Sequence, residues 1–256
     1  LRLLLRFSNA AYEQRFVEHY VAFYFRYAQL SLMLGAVLIA GDYLADRIAD
    51  TGGPANLLRL TLAVPVLLVG LGYSLLPSAR RHWQPVMAGF IVTVALCLIG
   101  ILARIDDAGG AGLTSFVGVL NFTFLLFYCF VILGVQFRHA LASGLVTMAA
   151  FLYALWGHAG VSTPQAAYWS YHVVTVFILA AGIGWWREFV LRKEFMARAA
   201  LDDSRVAAER RALRLAHYDE VTGLPNGRLY AELAAPALER SRRSGAGCAV
   251  LHVDIN

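Results

Sequence analysis

The sequence contains little charge for its length. Of its 256 residues, 15% are Asp, Glu, Lys or Arg and 59% are hydrophobic, and the mean hydropathy is +0.59. A soluble globular domain carries about 25% charged residues, so this composition argues against that class. The apolar residues also occur in blocks of about 20, the length that a helix needs to cross the hydrocarbon core of a bilayer. The composition therefore predicts a membrane protein.

Cysteine is also sparse, with three residues in the whole chain. Cys97 and Cys129 fall inside apolar blocks and Cys248 lies in a late strand-like run, so no spacing suits a disulfide framework or a zinc site. We interpret all three as small buried hydrophobic residues. The sequence also lacks an initial Met and a convincing signal peptide, and we expect the natural N-terminus to be missing.

Basic residues outnumber acidic ones by 22 to 17, a balance that is also found in nucleic-acid-binding proteins. Here, however, Lys and Arg cluster beside the apolar blocks and in one helix. This placement favours a role in membrane topology and in contact with lipid headgroups, and we expect no nucleic-acid partner.

Six apolar blocks are candidate transmembrane helices, and Pro65 is expected to kink the second without ending it. The connecting loops alternate between acidic and basic. The positive-inside rule places both termini in the cytoplasm, together with Arg80, Arg81, Arg138 and Arg187. We therefore predict an all-α membrane protein with a six-helix transmembrane bundle. The predicted spans are 27–45, 57–76, 85–103, 115–135, 140–158 and 166–186.

Residues 1–26 precede the first span and are predicted to form an amphipathic helix at the membrane interface. Two interpretations of this helix stay open. It is either a lever that touches the sensor or a partner subunit, or a plain anchor on the membrane surface. The prediction depends on the apolar residues Phe16, Val17, Tyr20, Phe23 and Tyr24, and on the basic residues Arg6, Arg15 and Arg26.

Residues 187–216 contain no Gly or Pro and are rich in Ala, Arg, Leu and Glu, which predicts a long helix. Its four-three pattern is poor because two acids lie in it, so any coiled coil would be weak and easily shifted. A weak parallel coiled coil suits a signalling helix, and a lone solvated helix is the alternative. The pattern consists of Phe195, Ala199, Asp202, Val206, Glu209, Leu213 and Ala216.

The chain becomes polar at residues 217–230, HYDEVTGLPNGRLY. A turn is predicted at 222–226, because Gly223 can adopt a positive φ, Pro225 fixes its own φ and Asn226 can cap a following helix.

The residues after this turn predict a helix ended by Gly245 and then a buried strand, CAVLHVDIN. This order suggests the start of an α/β domain. The strand brings Asp254 to its carboxyl end, where metal and phosphate chemistry is common. From the residues alone, however, a single Asp there is more often a helix cap than a ligand.

The stretch LAHYDEVTGLPNGRLY resembles the opening of GGDEF domains, the diguanylate cyclase family, which commonly begin D-x-L-T-G-L-x-N-R-R. The resemblance covers residues 215–256. It departs from the family pattern at Gly227, which replaces the first Arg, and at Asn256, where an Asp is frequent. The matching residues are Asp219, Thr222, Gly223, Leu224, Asn226 and Arg228.

The GGDEF resemblance implies that Asp254 and the backbone carbonyl of Ile255 bind Mg²⁺, and that Asp219 helps to hold the turn. It implies GTP as substrate, and a parallel homodimer through 187–216 that joins two GTP into one cyclic di-GMP. The sequence ends before the GGDEF or GGEEF hairpin, the guanine-binding residues and the second metal carboxylate. We therefore expect a longer parent protein, and we expect this fragment to be inactive.

The six-span block followed by a helix resembles the MASE-like, membrane-associated sensor modules found ahead of bacterial cyclase domains. The stretch YEQRFVEHYVAFYFRYAQLSLMLGAVLIAGDYLADR is similar to the start of one such group. This resemblance implies the inner (cytoplasmic) membrane of a bacterium. The predicted domains are the amphipathic helix 1–26, the sensor 27–186, the signalling helix 187–216 and the GGDEF fragment 217–256.

Polar groups inside a membrane are costly and are therefore candidate functional residues. We predict a sensor pocket for a small amphipathic ligand, with an interfacial aromatic belt and single interhelical hydrogen bonds as the alternative. The candidates are Asp42, Arg59, Asn121, Tyr128, Trp156, His158, Trp169, Tyr171 and His172.

The leading functional prediction is a membrane sensor that controls a cytoplasmic diguanylate cyclase. One alternative is a catalytically inactive GGDEF receptor that relays its signal to another output domain. A second alternative is a transporter or channel, although the six blocks show no internal repeat and few midplane charges.

Overall fold

The computed structural model describes residues 5–49, 56–107, 109, 112–157, 161–249 and 251. The chain divides into two compact units, Leu1–Lys193 and Glu194–Asn256. Its α-helices are α1 (Ala10–Ala49), α2 (Val64–Ser74), α3 (Ala79–Asp107), α4 (Phe116–Phe127), α5 (Phe137–Gly157), α6 (Thr163–His217) and α7 (Gly227–Ser244).

In the part of the chain that the structure describes, four helices are long and apolar enough to cross a membrane by length and composition, namely α1, α3, α5 and α6. Two shorter apolar helices, Arg59–Ser74 and Phe116–Ile132, cover the second and fourth predicted spans. Each of the six apolar blocks therefore coincides with a helical segment. The all-α part of the predicted fold class is confirmed, and the protein is a membrane protein.

Both shorter helices contain a π-helical turn. Arg59–Ala63 leads directly into α2, in which Pro65 occupies the first turn, and Tyr128–Ile132 follows α4. A proline ring clashes with the carbonyl four residues earlier, so widening the helix before Pro65 relieves that clash. In α3 the helix kinks before Pro85, at His82, which has the non-helical φ and ψ values of −110° and 16°.

The helix α1 combines the predicted N-terminal helix and the first predicted span in one 40-residue element. Its buried residues form one stripe along the helix, which is the face that packs into the first unit. The N-terminal part of α1 therefore packs into the first unit. This stripe consists of Glu13, Phe16, Tyr20, Val21, Phe25, Ala28, Ser31, Leu32 and Ala36.

The helix α6 is one element of 55 residues. Within the first unit it buries a single face, from Ala166 through Val173, Phe177 and Gly184 to Arg192. Beyond Arg192 none of its residues is fully buried. The first unit therefore holds α6 over its N-terminal half.

The connection between α4 and α5 requires a glycine. Gly134 has a φ of +66°, and a Cβ atom on it would lie 2.6 Å from Cβ of Tyr24. Both the left-handed backbone and the close approach of α1 exclude a larger residue. The connection is thereby held against α1.

In the second unit, a tight turn joins α6 to α7. Gly223 has a φ of +68°, and the Asn226 side chain accepts hydrogen bonds from the backbone of Arg228 and Leu229. The helix α7 ends at Gly245, whose φ is +69°. The turn, the capping residue and the end of this helix agree with the sequence prediction.

The strand predicted at 248–256 lies largely outside the described residues. Residues 246–249 and 251 are irregular, and the described part of the chain contains one isolated bridge, between Tyr218 and Pro225, and no longer strand. The α/β part of the predicted fold class therefore stays a prediction.

Candidate functional site

A buried ion triad joins α1 to α6. The Arg192 guanidinium is 1% exposed and donates two hydrogen bonds to the Glu13 carboxylate, with N–O distances of 2.7 and 3.0 Å. Its Nε donates to Glu188, one helical turn earlier, at 2.8 Å. The guanidinium carbon also lies 4.1 Å from the centre of the Phe16 ring and 4.9 Å from that of Phe7. Arg192 thus uses both its planar donor edge and its flat face.

Glu188 also holds the start of α5. Its second carboxylate oxygen accepts a hydrogen bond from the backbone N–H of Phe137, the first residue of that helix, at 2.5 Å. A carboxylate at a helix N-terminus satisfies a free N–H and is stabilised by the helix dipole. One side chain of α6 therefore binds both Arg192 and α5.

Arg187 caps the C-terminal end of the fourth helical segment, which consists of α4 and the π-helical turn after it, Phe116–Ile132. It donates to the carbonyls of Val131 and Val135, at 2.5 and 3.1 Å, and to the Tyr20 hydroxyl at 2.9 Å. The Tyr20 hydroxyl in turn donates to the Val135 carbonyl at 3.1 Å. Carbonyls at a helix end lack intrahelical partners, and a cation near them also interacts well with the helix dipole.

We refer to Glu13, Arg187, Glu188 and Arg192 as the charge cluster. Burial opposes the charge on Glu13, but hydrogen bonds from Arg192 and from the backbone of Phe7 outweigh it and hold the Glu13 pKa below its usual value. For Glu188 burial prevails over its hydrogen bonds and nearby arginines, and its pKa is raised. The two carboxylates that share one arginine thus differ in how strongly the site favours their charged form.

Through the charge cluster, three residues within the stretch 187–192 of α6 bind three other parts of the first unit. Arg187, Glu188 and Arg192 bind the end of the fourth helical segment, the start of α5 and the N-terminal turn of α1. A rotation or translation of α6 against any of these parts would break charge-assisted hydrogen bonds. The charge cluster is therefore the candidate functional site. Through it, a change in the packing of the bundle would act on α6.

Glu13, Glu188 and Arg192 were not among the site residues predicted from the sequence. Two signals were nevertheless present. Glu13 shares the helical stripe of Phe16 and Tyr20, where a polar residue is unexpected. Glu188 and Arg192 are four residues apart at the end of an apolar block, a spacing that pairs charges on a helix. The partner of Arg192 on α1, 179 residues away, could not be read from spacing.

The predicted sensor residues fall into separate groups. Arg59 is buried and pairs with Asp46 at 2.6 Å, whereas Asp42 is exposed. Tyr128 donates to Ser31 of α1 at 3.0 Å. Asn121 is half-buried in α4. Arg59 and Tyr128 thus bind α1 at different positions, Asp46 and Ser31.

The aromatic candidates of α5 and α6 do come together. Trp156 donates to Ser170 at 3.0 Å, and the rings of Trp169 and His172 are 6.2 Å apart. Trp156 also lines an open groove of about 490 Å³ with Tyr153, Ala154 and Gly157. Tyr171 is 69% exposed, and His158 lies outside the described residues.

The residues that match the GGDEF opening are joined by hydrogen bonds in the second unit. One Asp219 carboxylate oxygen accepts from the backbone of Val221 and Thr222 and from the Thr222 hydroxyl, at 2.8–3.2 Å. These bonds hold the pKa of Asp219 below its usual value. The Leu224 carbonyl accepts from the Asp219 backbone, and Arg228 contacts Glu232 at 3.3 Å. The predicted metal ligands, Asp254 and Ile255, lie outside the described residues.

Comparison with known protein families gives a match that lies mainly in the first unit. No curated protein matches the chain. The profile of the MASE8 family, a MASE-type membrane sensor domain, matches residues 54–199. This range includes α2 to α5 and the part of α6 that carries Arg187, Glu188 and Arg192, and it ends shortly after the last buried residue of α6. Because the match covers more than half of the sequence, the chain belongs to the MASE8 family of membrane sensor domains.

Proposed function

We propose that this chain is the sensor part of a bacterial inner-membrane receptor that controls a cytoplasmic diguanylate cyclase. In this proposal the cyclase joins two GTP into cyclic di-GMP within a parallel homodimer, using Mg²⁺. The family assignment supports the sensor role. The resemblance of residues 215–256 to the start of a GGDEF domain supports the cyclase output.

The observation that carries the proposal is the way in which α6 is held. The helix begins in the sixth apolar block, binds three other parts of the bundle through the charge cluster, and then continues to His217 without burying another residue fully. A ligand that changed the packing of the bundle would act on α6 through these contacts. The solvated part of α6 would then carry the change to the output domain.

The proposed topology has six spans and both ends in the cytoplasm. The two shorter apolar helices, Arg59–Ser74 and Phe116–Ile132, would cross the membrane together with the four long ones. The charge cluster and the basic residues Arg80, Arg81 and Arg138 would then share the cytoplasmic side, as the positive-inside rule requires.

We place the proposed small amphipathic ligand at the aromatic group of α5 and α6. The indole N–H of Trp169 is buried and has no acceptor among the described residues, and the ring lies between Phe116 and His172. An apolar ring surface with one free donor suits a ligand that has an apolar body and one acceptor. In this proposal the ligand binds at the outer end of α6, and the charge cluster responds at the inner end.

The decisive experiment uses the full-length parent protein in membranes supplied with GTP and Mg²⁺. Cyclic di-GMP should form, and Asp254→Ala should abolish its formation. Arg192→Leu should leave the cyclase competent but change its basal rate and its response to the sensor. If the unaltered parent makes no cyclic di-GMP, the proposed output is wrong. If Arg192→Leu behaves as wild type in every respect, the proposed route through the charge cluster is wrong.

A further inference from the structure

Three buried side-chain N–H groups beside the start of α5 have no acceptor within the described part of the chain. They are Nε2 of Gln84, Nε2 of Gln136 and Nε of Arg138. Gln84 is 5% exposed and Gln136 is fully buried. A buried donor without an acceptor loses its hydration and gains nothing in return. Three groups of the same kind in one place indicate that an acceptor belongs there.

Hydrogen bonds link the Gln84 side chain to the Gln136 backbone and the Arg138 side chain to that of Gln136. The Gln84 Oε1 atom accepts from the backbone N–H of Gln136 at 2.8 Å, which fixes the orientation of the Gln84 amide and leaves its NH₂ group as the free donor. Arg138 contacts the Gln136 Oε1 atom at 3.5 Å. The Gln136 carbonyl accepts from His139 and Ala140, so Gln136 and Arg138 lie at the first turn of α5, and Gln84 of α3 contacts that turn through the Gln136 N–H.

The surroundings also carry an unbalanced positive charge. In the charge cluster two arginines balance two glutamates, and Arg138 adds a third arginine, which gives a net charge of +1. Among the described residues Arg138 has no ion-pair partner of its own. Burial and the charge of Arg138 lower the pKa of His139, so that ring is mainly neutral near pH 7. A water molecule could satisfy the free donors, but it would leave the charge unbalanced.

We infer that Gln84, Gln136 and Arg138 form a binding site for an oxyanion of the phosphate type, with its charge on Arg138 and its oxygens on the two amide groups. The site is at the N-terminus of a 21-residue helix, whose dipole favours an anion. Arg138 and His139 are half-buried, so the ligand reaches the two buried amides past these side chains. The ligand is a phosphate group, either of an anionic phospholipid or of a small free molecule.

Glu188 limits how the oxyanion binds. Its carboxylate already accepts from the backbone N–H of Phe137 at the tip of α5. The oxyanion therefore takes the side-chain donors of Gln84, Gln136 and Arg138 and does not replace Glu188. Because Gln136 follows Val135, which binds Arg187, a bound anion would also stabilise the charge cluster. This inference stands without the cyclase output.

The test compares the thermal unfolding midpoint of the purified chain in nanodiscs of three kinds. These contain phosphatidylcholine alone, phosphatidylcholine with phosphatidylglycerol, or phosphatidylcholine with added inorganic phosphate. Binding to the folded state should raise the midpoint by about 2–4 °C. A rise with phosphatidylglycerol alone identifies a lipid headgroup as the ligand. A rise with inorganic phosphate identifies a free oxyanion. No rise in either sample overturns the inference.

Variants show whether the response arises at this site. Arg138→Gln should abolish it, whereas Arg81→Gln, an equal loss of charge at an exposed residue, should retain it. Gln84→Glu keeps an oxygen for the Gln136 N–H and adds a negative charge beside Arg138. It should therefore match the anion-bound midpoint in phosphatidylcholine alone and lose the response. An unchanged response in Arg138→Gln, or an equal loss in Arg81→Gln, would contradict the assignment.

Discussion

At the scale of single residues, Arg192 is the most constrained side chain of the first unit. It combines a two-pronged bond to Glu13, a bond to Glu188 and stacking on Phe16 and Phe7. A lysine would keep the charge but lose the planar fork and the stacked face. A buried pair of this kind costs much to desolvate and gives little net stability, but the loss of one partner is severe. Such a cluster is better suited to fix one arrangement of α6 than to stabilise the fold.

The two glutamates of the cluster should respond differently to neutralisation. Glu13→Gln removes a charge that the site favours and leaves Arg192 poorly paired, so it should lower the free energy of unfolding by roughly 3–5 kcal/mol. Glu188→Gln removes a charge that burial disfavours and keeps an acceptor for Phe137, so its cost should be about 1–2 kcal/mol. Denaturant unfolding in detergent measures both. If the two variants lost the same free energy of unfolding, the assigned difference between the two glutamates would be wrong.

The pKa directions of the two glutamates also predict a pH dependence. Because the Glu188 pKa is raised in the folded state, the fold binds more protons there, and stability should fall as the pH rises through the window above the ordinary value of 4.5. The Glu13 pKa is lowered, so its contribution should be lost as the pH falls below 4.5. Glu188→Gln should therefore remove the loss of stability above pH 4.5 and retain the loss below pH 4.5. Unfolding midpoints measured from pH 3.5 to 7, chosen to span about one unit or more on each side of the reference pKa, provide the check.

At the scale of elements, the connection between α4 and α5 does not tolerate a side chain at Gly134. Gly134→Ala requires a left-handed alanine and a methyl group against Tyr24, at a cost of about 2–4 kcal/mol. Gly89→Ala is the matched control, because its Cβ meets no atom within 4 Å and alanine favours a helix. Thermal unfolding should show a loss for Gly134→Ala alone. An equal effect of both changes would disprove the proposed role of the connection.

Local sequence signals predicted the elements well, because each signal acts over a few residues. The six apolar blocks lie in helices, and the turn at 222–226 and the end of α7 at Gly245 follow from glycine and asparagine chemistry. The charge cluster could not be predicted in this way. Its partners come from opposite ends of the first unit, and only packing decides which polar groups meet. The same limit applies to Arg59, because its partner Asp46 was not among the predicted residues.

At the scale of the whole molecule, α6 is the element that both units contain. In the first unit it is held on one buried face, and in the second the residues of the predicted heptad pattern are exposed or half-buried. The exposed part carries ion pairs within the chain, Arg198 with Glu194 and Arg205 with Glu209. Pairs of this kind stabilise a single helix by a few tenths of a kcal/mol. In the proposed dimer they would allow α6 to stay helical while the second copy of the helix shifts.

The two acids of the heptad pattern differ in this structure. Glu209 is paired with Arg205 at 2.9 Å, whereas Asp202 has no ion-pair partner in the part of the chain that is described. In a parallel dimer each acid would face its own copy, and like charges at such positions repel. The repulsion should then be greatest at Asp202, because the Arg205 charge offsets that of Glu209. Asp202 is accordingly the residue that should keep the pairing weak.

We therefore predict that Asp202→Leu together with Glu209→Leu tightens the dimer and makes the output of the longer parent insensitive to the sensor. Asp202→Leu alone should give most of this effect and Glu209→Leu alone the smaller part. Cysteine crosslinking along 195–216 in membranes measures the pairing, and cyclic di-GMP formation measures the output. Asp203→Leu, an exposed acid outside the pattern, is the control and should change neither. If the native helix gives no crosslinks between subunits at any of these positions, the parallel-dimer mechanism is wrong, because a helix that never meets its copy cannot regulate through their register.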